Sequence, residues 1–437
     1  MSRSKHYILS FFCFWLVGYS IAQTSQITID KAIELALKNN YDILISKNQS
    51  LQAANNNSFG NAGMLPKLDL NASGSFADNA TKQEFSSGLV VDKSGVQSQN
   101  ITTGAYLNWT LFDGLKMFAT HDKLQQLQSM GELNLKIQIE NTIVKVTTAY
   151  YNIVMQKQLI NGLKENIVVS EERLKIAQKK FELGSVSKVD VLQAKLDMNE
   201  LRSALIRQNT LLADAKEELN QLLIQNVEQE IDVNDSIPLI NQYKYEDLKN
   251  AILANNSDLL FAQKNSEVSN YMLKEAKSAY FPKLNFNANY IFSRAQNQAG
   301  LTLLNQNLGM NLGFTASWTI FNGLNTVNNV KNLKLNLENS NFELENLKSL
   351  TQLSLLKVFK KYQDDIAVLK LEEENNKLAK ENLTISLDRF RLGANTSIEI
   401  KMAQSTYQNS ITRLSDARFN AKKSETQLLK LSGAIVK

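Results

Sequence analysis

Hydrophobic residues recur every seven positions between Gly114 and Leu183, in a stretch that contains no proline. The members of this stripe are Ile139, Val146, Ile153, Ile160, Ile167, Leu174 and Phe181. A seven-residue repeat predicts long helices that supercoil with a left-handed twist. A helix of about 70 residues would extend roughly 100 Å at 1.5 Å per residue. The same spacing in Leu205, Leu212 and Leu219 predicts a return helix, and hence a helical hairpin over residues 114–223.

The C-terminal half carries a second stripe of the same kind, which Asn376 interrupts. Its members are Leu355, Tyr362, Leu369, Leu383 and Phe390, followed on the return helix by Leu414, Ala421 and Leu428. This stripe predicts a second hairpin over residues 323–432. An ordinary antiparallel coiled coil would account for both stripes, because such stripes usually indicate helix packing.

Apolar and polar residues alternate with a period of two after Pro66 and again after Pro282, which predicts half-buried strands. Strands are expected near residues 66–76, 103–112, 282–292 and 309–321. The polar segments 77–102 and 293–308 are expected to be loops. Each predicted strand has about ten residues, the length of a tilted strand in a membrane barrel.

Two interpretations of the strands remain open, a soluble four-stranded sheet packed on helices and part of a membrane barrel. Four strands cannot close a lipid-facing sheet, since outer-membrane barrels begin at about 8 strands. Several chains would therefore have to share one barrel. Two chains would give a filled barrel of about 8 strands, and three would give about 12 strands with room for a lumen. The polar strand faces would then line the lumen, through Asn71, Asn108, Asn287 and Asn311.

The chain is an internal duplication, because matched blocks occur in the same order in both halves. Two pairs of blocks are offset by 216 residues: Asn39–Leu44 with Asn255–Leu260, and Leu65–Asn71 with Phe281–Asn287. Two further pairs are offset by 209 residues: Trp109–Leu115 with Trp318–Leu324, and Phe181–Gly184 with Phe390–Gly393. We therefore divide the chain into a first repeat at 23–223, a linker at 224–245 and a second repeat at 246–437.

Residues 1–22 have the pattern of a secretory signal peptide, with Arg3 and Lys5 ahead of an apolar run and small residues before Gln23. No later apolar run reaches the roughly 18 residues that a membrane-spanning helix needs. Removal of the leader takes Arg3 and Lys5 from 48 basic residues and leaves 46, against 43 acidic ones. This near balance gives no indication of a nucleic-acid partner.

Enzyme chemistry has little support in the composition. The only cysteine, Cys13, lies in the predicted leader, and one histidine, His121, remains after it. A cysteine nucleophile and a site of clustered histidines and cysteines are thereby excluded, and no cofactor is expected. The acidic residues lie mostly beside lysines along the predicted helices, where a solvated face is the common reason for them.

The turns at the ends of the two hairpins share one pattern. We call Leu183–Asp190 the first tip and Leu392–Glu399 the second tip. Gly184 and Gly393 are suited to end a helix in the left-handed conformation. Ser187 with Asp190, and Thr396 with Glu399, are typical capping boxes that start the next helix. Capping alone explains these residue types, although exposed tips are also places where a partner protein can bind.

The ordered motifs resemble the TolC family of outer-membrane efflux proteins over nearly the whole chain after the leader. They are Thr28–Asn40, Leu65–Leu68, Trp109–Gly114 and the two Leu-Gly tips at Leu183-Gly184 and Leu392-Gly393. The resemblance implies an α+β membrane protein whose long antiparallel coiled-coil hairpins form a periplasmic α-barrel. It also implies a homotrimer in which each chain gives four strands to a shared 12-stranded β-barrel in the outer membrane of a Gram-negative bacterium.

The resemblance further implies an adaptor protein that docks at the tips, through Leu183, Gly184, Ser187, Asp190, Leu392, Gly393 and Thr396. Through the adaptor, the duct would serve an inner-membrane pump of the RND or ABC type. The periplasmic aperture of the family falls on Phe390, Asn395, Glu399 and Met402 in this chain. The family has a closing tyrosine at position 390, a basic residue at 395 and a second acidic residue at 402, so we expect this aperture to close by different contacts.

The sequence therefore predicts a channel-tunnel of an efflux or type I secretion system that conducts substrates passively. A trimeric surface adhesin or structural coiled-coil protein is the alternative. An adhesin would have one stalk and one C-terminal anchor, whereas this chain has two internal strand pairs, each followed by a hairpin.

Overall fold

The computed structural model describes residues 26–239, 243–299 and 302–436. The predicted signal peptide, residues 1–22, lies outside the described residues. Two helices, two strands and a helical hairpin follow one another in each half of the chain. In the first half these are α1 Ile29–Asn39, α2 Tyr41–Asn56, β2 Lys67–Glu84, β3 Val90–Phe112, α3 Lys116–Glu182 and α4 Lys188–Leu223. In the second half they are α5 Tyr245–Asn255, α6 Ser257–Lys277, β5 Lys283–Asn297, β6 Leu304–Ser317, α7 Asn325–Arg391 and α8 Ser397–Leu431.

A short parallel pairing ties the start of the described chain to the segment between the repeats. Strand β1, Gln26–Ile27, pairs with β4, Asp232–Val233. Lys157 on α3 holds β4 in place, since its ammonium binds the carboxylate of Asp232 at 2.7 Å and the carbonyl of Val233 at 3.0 Å. Of the helices that the structure describes, none combines the length and the apolar character needed to cross a membrane.

The turn from strand to long helix is the same in both repeats and depends on glycine. Gly114 and Leu115 have φ values of 72° and 70°, and Gly323 and Leu324 have 66° and 65°. A Cβ on Gly114 would lie 2.4 Å from the carbonyl oxygen of Ser278, so no other residue fits there. The repeated Gly-Leu motif therefore sets the direction in which each hairpin leaves the sheet.

The long helices α3 and α7 have 67 residues each, while their return helices α4 and α8 have 36 and 35. The return helices thus accompany only the half of each long helix nearer the tips. Helices α2 and α6 pack along the other half. For example, Gly131 on α3 approaches Ser50 and Ala53 of α2, where a Cβ would lie 3.1 Å from Ala53.

A repeated asparagine joins each helix pair to the end of its hairpin. Asn40 caps α2 and donates its amide to the carbonyl of Leu222 at 3.3 Å, and Asn256 caps α6 and donates to Leu431 at 2.9 Å. Both asparagines are buried. Because a buried amide needs partners, each asparagine fixes a helix start and a helix end at once.

The buried face of α3 follows the predicted stripe only in part. From Val146 to Ile160 the stripe residues are fully buried, but Ile167 and Leu174 are half-buried and Phe181 is 44% exposed. A straight helix has 3.6 residues per turn, so a strict seven-residue stripe drifts around it. Toward the tips the buried positions are instead Leu163, Asn166, Ser170, Arg173 and Ala177.

The strands are longer than predicted, which corrects the expectation of loops at 77–102 and 293–308. The connections are residues 85–89 and 298–303, and most of both polar segments is paired strand. These segments lack the alternation of a half-buried strand, but backbone hydrogen bonds pair strands whatever their side chains are. Conversely, β6 ends at Ser317 rather than at residue 321, because it is an edge strand and none of the described strands pairs with it beyond that point.

Candidate functional site

The four long strands form one antiparallel sheet in the order β2-β3-β5-β6, with two chemically different faces. One row of paired residues runs Leu68, Leu107, Ala288 and Leu312 across all four strands. The neighbouring rows on this face continue the pattern with Leu70, Ala105, Tyr290 and Met310, and with Trp109, Phe286 and Phe314. Most of these large apolar side chains are exposed, including Leu70 at 81% and Phe314 at 69%. Such a face needs an apolar environment.

The opposite face is rich in amides. Asn108 lies directly across from Asn287, whose amide donates to the hydroxyl of Thr315 at 3.0 Å. Asn311 donates to Asn289 at 3.0 Å one row away, and Asn71 lies on the same face, across from Gly104. The four asparagines predicted for a lumen thus share one face. At the helix-proximal end of this face the ammonium of Lys67 pairs with the carboxylate of Asp69 at 3.0 Å.

Among the residues that the structure describes, the two edge strands, β2 and β6, have no strand partner on their outer sides. The segment just after β6 is a run of exposed apolar residues, with Trp318 61%, Ile320 86% and Phe321 76% exposed. Its counterpart in the first repeat, Trp109–Phe112, is paired with β5. The indoles of Trp109 and Trp318 make equivalent hydrogen bonds, to the carbonyls of Met64 and Tyr280 at 2.9 and 3.1 Å.

The helices of the hairpins follow the order α4-α3-α8-α7, since α3 packs against both α4 and α8, and α8 against α7. Helices α4 and α7 are therefore the two flanks of the helical layer. Both flanks carry exposed apolar residues: Val189, Leu192, Leu196 and Ile206 on α4, and Leu371, Leu378 and Ile385 on α7. The helical layer thus has two open sides, as the sheet has two open edges.

Each tip is closed by its own contacts. In the first tip Gly184 has a φ of 71°, and the Asp190 carboxylate accepts hydrogen bonds from the amide and the hydroxyl of Ser187, both at 3.1 Å. In the second tip the Glu399 carboxylate accepts from the amide of Thr396 at 2.7 Å, which lowers the pKa of Glu399. The exposed leucines Leu183 and Leu392 stand at the outer ends of the helices.

The residues expected at the aperture do not form one bonded network within the chain. The Asn395 amide donates to the carbonyl of Ser386 at 3.3 Å, in its own hairpin, rather than to Asp190. Phe390 is 4% exposed and belongs to the core of the second hairpin, whereas Met402 is 65% exposed. Glu399 faces solvent and is bonded within its capping box.

The structure adds a residue that the sequence did not single out, Lys180. Its ammonium donates to the carbonyl oxygen of Phe390 at 3.0 Å and lies 4.6 Å from the centre of the Phe390 ring. It thus links the two hairpins beside their tips, where a cavity of about 590 Å³ separates them. One signal was available, since Lys180 is the repeat counterpart of Arg389.

A buried ionic cluster, which we call the Arg173 cluster, joins three helices about two turns above the tips. Arg173 on α3 donates to Asp197 on α4 at 2.5 Å and to Gln404 on α8 at 3.0 Å, and Lys401 on α8 donates to Asp197 at 2.7 Å. Burial opposes ionisation of Asp197, but the hydrogen bonds from Lys401 and Arg173 outweigh it and lower its pKa. Arg173 is 2% exposed, and its cluster lines a groove of about 590 Å³.

Comparison with known proteins gives a consistent result. The family model described as outer membrane efflux protein matches residues 32–223 and 248–434. The Outer membrane protein TolC of Escherichia coli (strain K12) is 20% identical over 376 residues, which cover 82% of this chain and 72% of that protein.

Solved structures with the same fold include three outer-membrane proteins. The outer-membrane channel OprN has a TM-score of 0.78 at 15% identity, with 93% of this chain and 90% of that chain covered. The Campylobacter jejuni CmeC outer membrane channel has a TM-score of 0.73 at 20% identity, with 94% and 86% covered. The Vibrio cholerae outer membrane protein VceC has a TM-score of 0.76 at 15% identity, with 93% and 96% covered.

Proposed function

Because the chain belongs to the outer membrane efflux protein family, we propose that it is a passive duct that carries cargo across the periplasm and the outer membrane. The observation that carries this proposal is that both layers have open sides, the sheet at β2 and β6 and the helical layer at α4 and α7. On this proposal, one chain is a section of a closed wall.

The apolar face of the sheet is close in height to the apolar band of an outer-membrane barrel. On β3 it runs from Trp109 to Ile101 and ends where Arg294 and Gln306 lie in the row of Ile101. Eight residue steps at about 3.3 Å give roughly 26 Å along the strand. A strand tilted by about 40° then spans roughly 20 Å of bilayer, close to the apolar band of about 25 Å on outer-membrane barrels. We assign this face to lipid and the amide face to the lumen.

The repeat predicts how the sheet closes. Inside the chain, β3 of the first repeat pairs with β5 of the second, and Trp109 lies across from Phe286. The counterparts of these residues are Trp318, at an offset of 209, and Leu70, at an offset of 216. Trp318 of one copy should therefore pair with Leu70 of the neighbouring copy. This register keeps apolar residues on one face and gives the exposed segment after β6 a partner.

The helical layer closes by the same rule. Asn166 on α3 donates to Gln408 on α8 at 2.7 Å, and the counterparts of these residues are Asn375 on α7 and Asn199 on α4. Asn375 and Asn199 are both exposed and lie among the apolar residues of the open flanks. Three copies joined in this way form a homotrimer with 12 strands and 12 hairpin helices around one lumen.

Cysteine cross-linking tests this assembly, because the only native cysteine is Cys13 in the predicted leader. Asn375→Cys combined with Asn199→Cys should give disulfide-linked dimers and trimers. Ser317→Cys with Asn71→Cys should do the same in the sheet. The matched control, Asn375→Cys with Asn209→Cys, moves one partner by about 15 Å along α4 and should run as a single chain on a denaturing gel. Equal cross-linking of matched and control pairs would refute the register, and a water-soluble monomer would refute the duct.

The tips are the end that a periplasmic adaptor would bind, through Leu183, Gly184, Ser187, Asp190, Leu392, Gly393 and Thr396. Supporting this role, both tips are hydrogen-bonded turns with exposed leucines, at 79% for Leu183 and 84% for Leu392. The aperture would be formed by Phe390, Asn395, Glu399 and Met402. Through the adaptor, an inner-membrane pump of the RND or ABC type would supply the energy.

Alanine substitution separates the docking role from simple capping. Asp190→Ala with Glu399→Ala should weaken adaptor binding or raise conductance in planar bilayers. Both changes also remove a capping box, so Ser187→Ala with Thr396→Ala is the control that loses the caps and keeps the charges. If conductance and adaptor binding stay unchanged in the acidic variant, these residues are helix caps only.

A trimeric adhesin is the second candidate, since it would also combine coiled coils with a shared barrel. Its tips would face the outside of the cell, whereas those of a duct face the periplasm. Labelling of Leu392→Cys on intact cells by a membrane-impermeant maleimide would favour the adhesin.

Among the residues that the structure describes, no cluster of histidine, cysteine and acidic side chains is arranged to hold a metal ion.

A further inference from the structure

The contact between Lys180 and Phe390 joins the two hairpins, whereas the hydrogen bonds that close each tip lie within one hairpin. The first tip is held by hydrogen bonds from Gly184 to Phe181 and from Ser185 to Lys180 within one turn. The second tip is held in the same way by Gly393 and Ala394. Neither turn needs the other in order to fold. A bond from one hairpin to the other therefore serves their relative position rather than their local structure.

The two repeats use the same position for different purposes. Arg389, the counterpart of Lys180, turns back to its own tip, where its guanidinium lies 3.4 Å from the carbonyl oxygen of Ala394. Lys180 instead reaches across the cavity between the tips to Phe390. A residue with only a capping role would have made the local contact that Arg389 makes.

The acceptor is suited to a cation. The carbonyl of Phe390 belongs to the last turn of α7, where the helix dipole concentrates negative charge. It accepts the amide of Gly393 at 3.2 Å, and its second lone pair can accept the ammonium of Lys180 as well. The face of the Phe390 ring adds a second favourable contact for the ammonium. Gly393 follows with a φ of 77°, and a Cβ there would lie 3.9 Å from the Lys180 nitrogen. The C-terminal end of α7 thus provides a binding site for one ammonium group.

We propose that Lys180 is the latch that holds the second tip against the first and so keeps the aperture of the proposed duct narrow. The tyrosine and the basic residue that the family resemblance leads one to expect at the aperture are Phe390 and Asn395 here. Lys180 takes over the connection between hairpins by binding a backbone carbonyl, which no substitution at position 390 removes. The neighbouring pair, Arg391 with Glu172 at 3.1 Å, is nearly half exposed on both sides and contributes little.

The test is the conductance of the full-length protein in planar bilayers. Lys180→Met keeps the aliphatic stem and removes the charge, so it should raise the open fraction about tenfold, the size expected for a helix-terminal cation with a ring contact. Lys180→Arg should restore the wild-type open fraction. Two controls should leave it unchanged: Lys179→Met removes an exposed neighbouring charge, and Arg389→Met removes the local contact of the other repeat.

The proposal rests on the proposed duct, and the outcomes separate the two. If the wild type forms pores and Lys180→Met has the same open fraction, the latch is refuted and the duct stands. If Lys179→Met opens the pore as much as Lys180→Met, general charge at the tips is responsible and the latch is refuted as well. If neither the wild type nor any variant conducts, the duct itself fails. Equal trimer mass and melting temperature of the variants exclude misfolding.

Discussion

The substitution Asp197→Asn examines the Arg173 cluster with nearly the same side-chain volume. It leaves the guanidinium of Arg173, which is 2% exposed, without its anion. Loss of one partner of a buried ion pair costs about 3 to 5 kcal/mol. The amide retains one weaker hydrogen bond, and Lys401 can turn to solvent because its side chain is 49% exposed. We therefore expect the low end of the range, about 3 kcal/mol per copy.

Hydrogen–deuterium exchange measures this loss where it occurs. A loss of about 3 kcal/mol should speed exchange roughly 100-fold in residues 165–177, 193–205 and 400–410 if these segments open locally. Exchange around Val146 and Ile153 should not change, because a separate apolar core holds that part of α3. Glu171→Gln is the control, since it breaks an exposed pair with Arg202 that is worth below about 1 kcal/mol.

The double variant Arg173→Met with Asp197→Leu distinguishes the ion pair from simple packing. Replacing a buried pair by apolar residues of similar size is often neutral, so this variant should regain most of the lost protection. If Asp197→Asn alone leaves exchange unchanged, the guanidinium is solvated in its groove and the reasoning is wrong. If the double variant exchanges faster than the single one, the cluster contributes net stability.

Gly162→Ala should lower stability by about 1 to 2 kcal/mol despite a better helix propensity, because its Cβ would lie 2.7 Å from Ile411; urea unfolding measures this. The melting-temperature gap between wild type and Asp197→Asn should be full above about pH 4 and close as the pH falls through the lowered pKa of Asp197, since only the ionised carboxylate stabilises the fold. In the proposed duct, Asn108→Asp should make the pore cation-selective in reversal-potential measurements, because Asn108 lies on the amide face assigned to the lumen, while Gln99→Glu on the other face should not.

The duplication and the heptads allow the element order to be predicted from the sequence, because repetition and periodicity are properties of the chain itself. The strand ends could not be predicted in this way. The segments around Ser98 and Asn307 have polar residues at successive positions, and therefore on both faces of the sheet. Only the pairing with a neighbouring strand shows that these segments are strands. The predicted stripe leaves the buried face of α3 near Ile167. A seven-residue repeat corresponds to 3.5 residues per turn, whereas a straight helix has 3.6 residues per turn.

At the tips, the local contacts could likewise be predicted from the sequence, whereas the contacts between distant residues could not. Both capping boxes follow from residue spacing, since a cap involves neighbours in the chain. The contact of Lys180 with Phe390 joins residues 210 apart, and its acceptor is a backbone atom, which has no sequence signature. Arg173 could have been noticed as a charge among buried positions at spacings of three and four, with Asn166 and Ser170, but its partners on α4 and α8 could not.

The two open edges of the sheet have a consequence for the order of folding. Each hairpin forms from contacts near in sequence, whereas β3 meets β5 only when Phe112 finds Leu284, 172 residues along the chain. Local contacts form faster than distant ones, so the helices should be in place before the sheet is complete. A single copy would then carry bare strand edges next to a large apolar face, the combination that leads to aggregation. If the chain is one section of the proposed duct, the isolated subunit should therefore be short-lived, and completion of the fold, association with neighbouring copies and insertion into the membrane should be coupled.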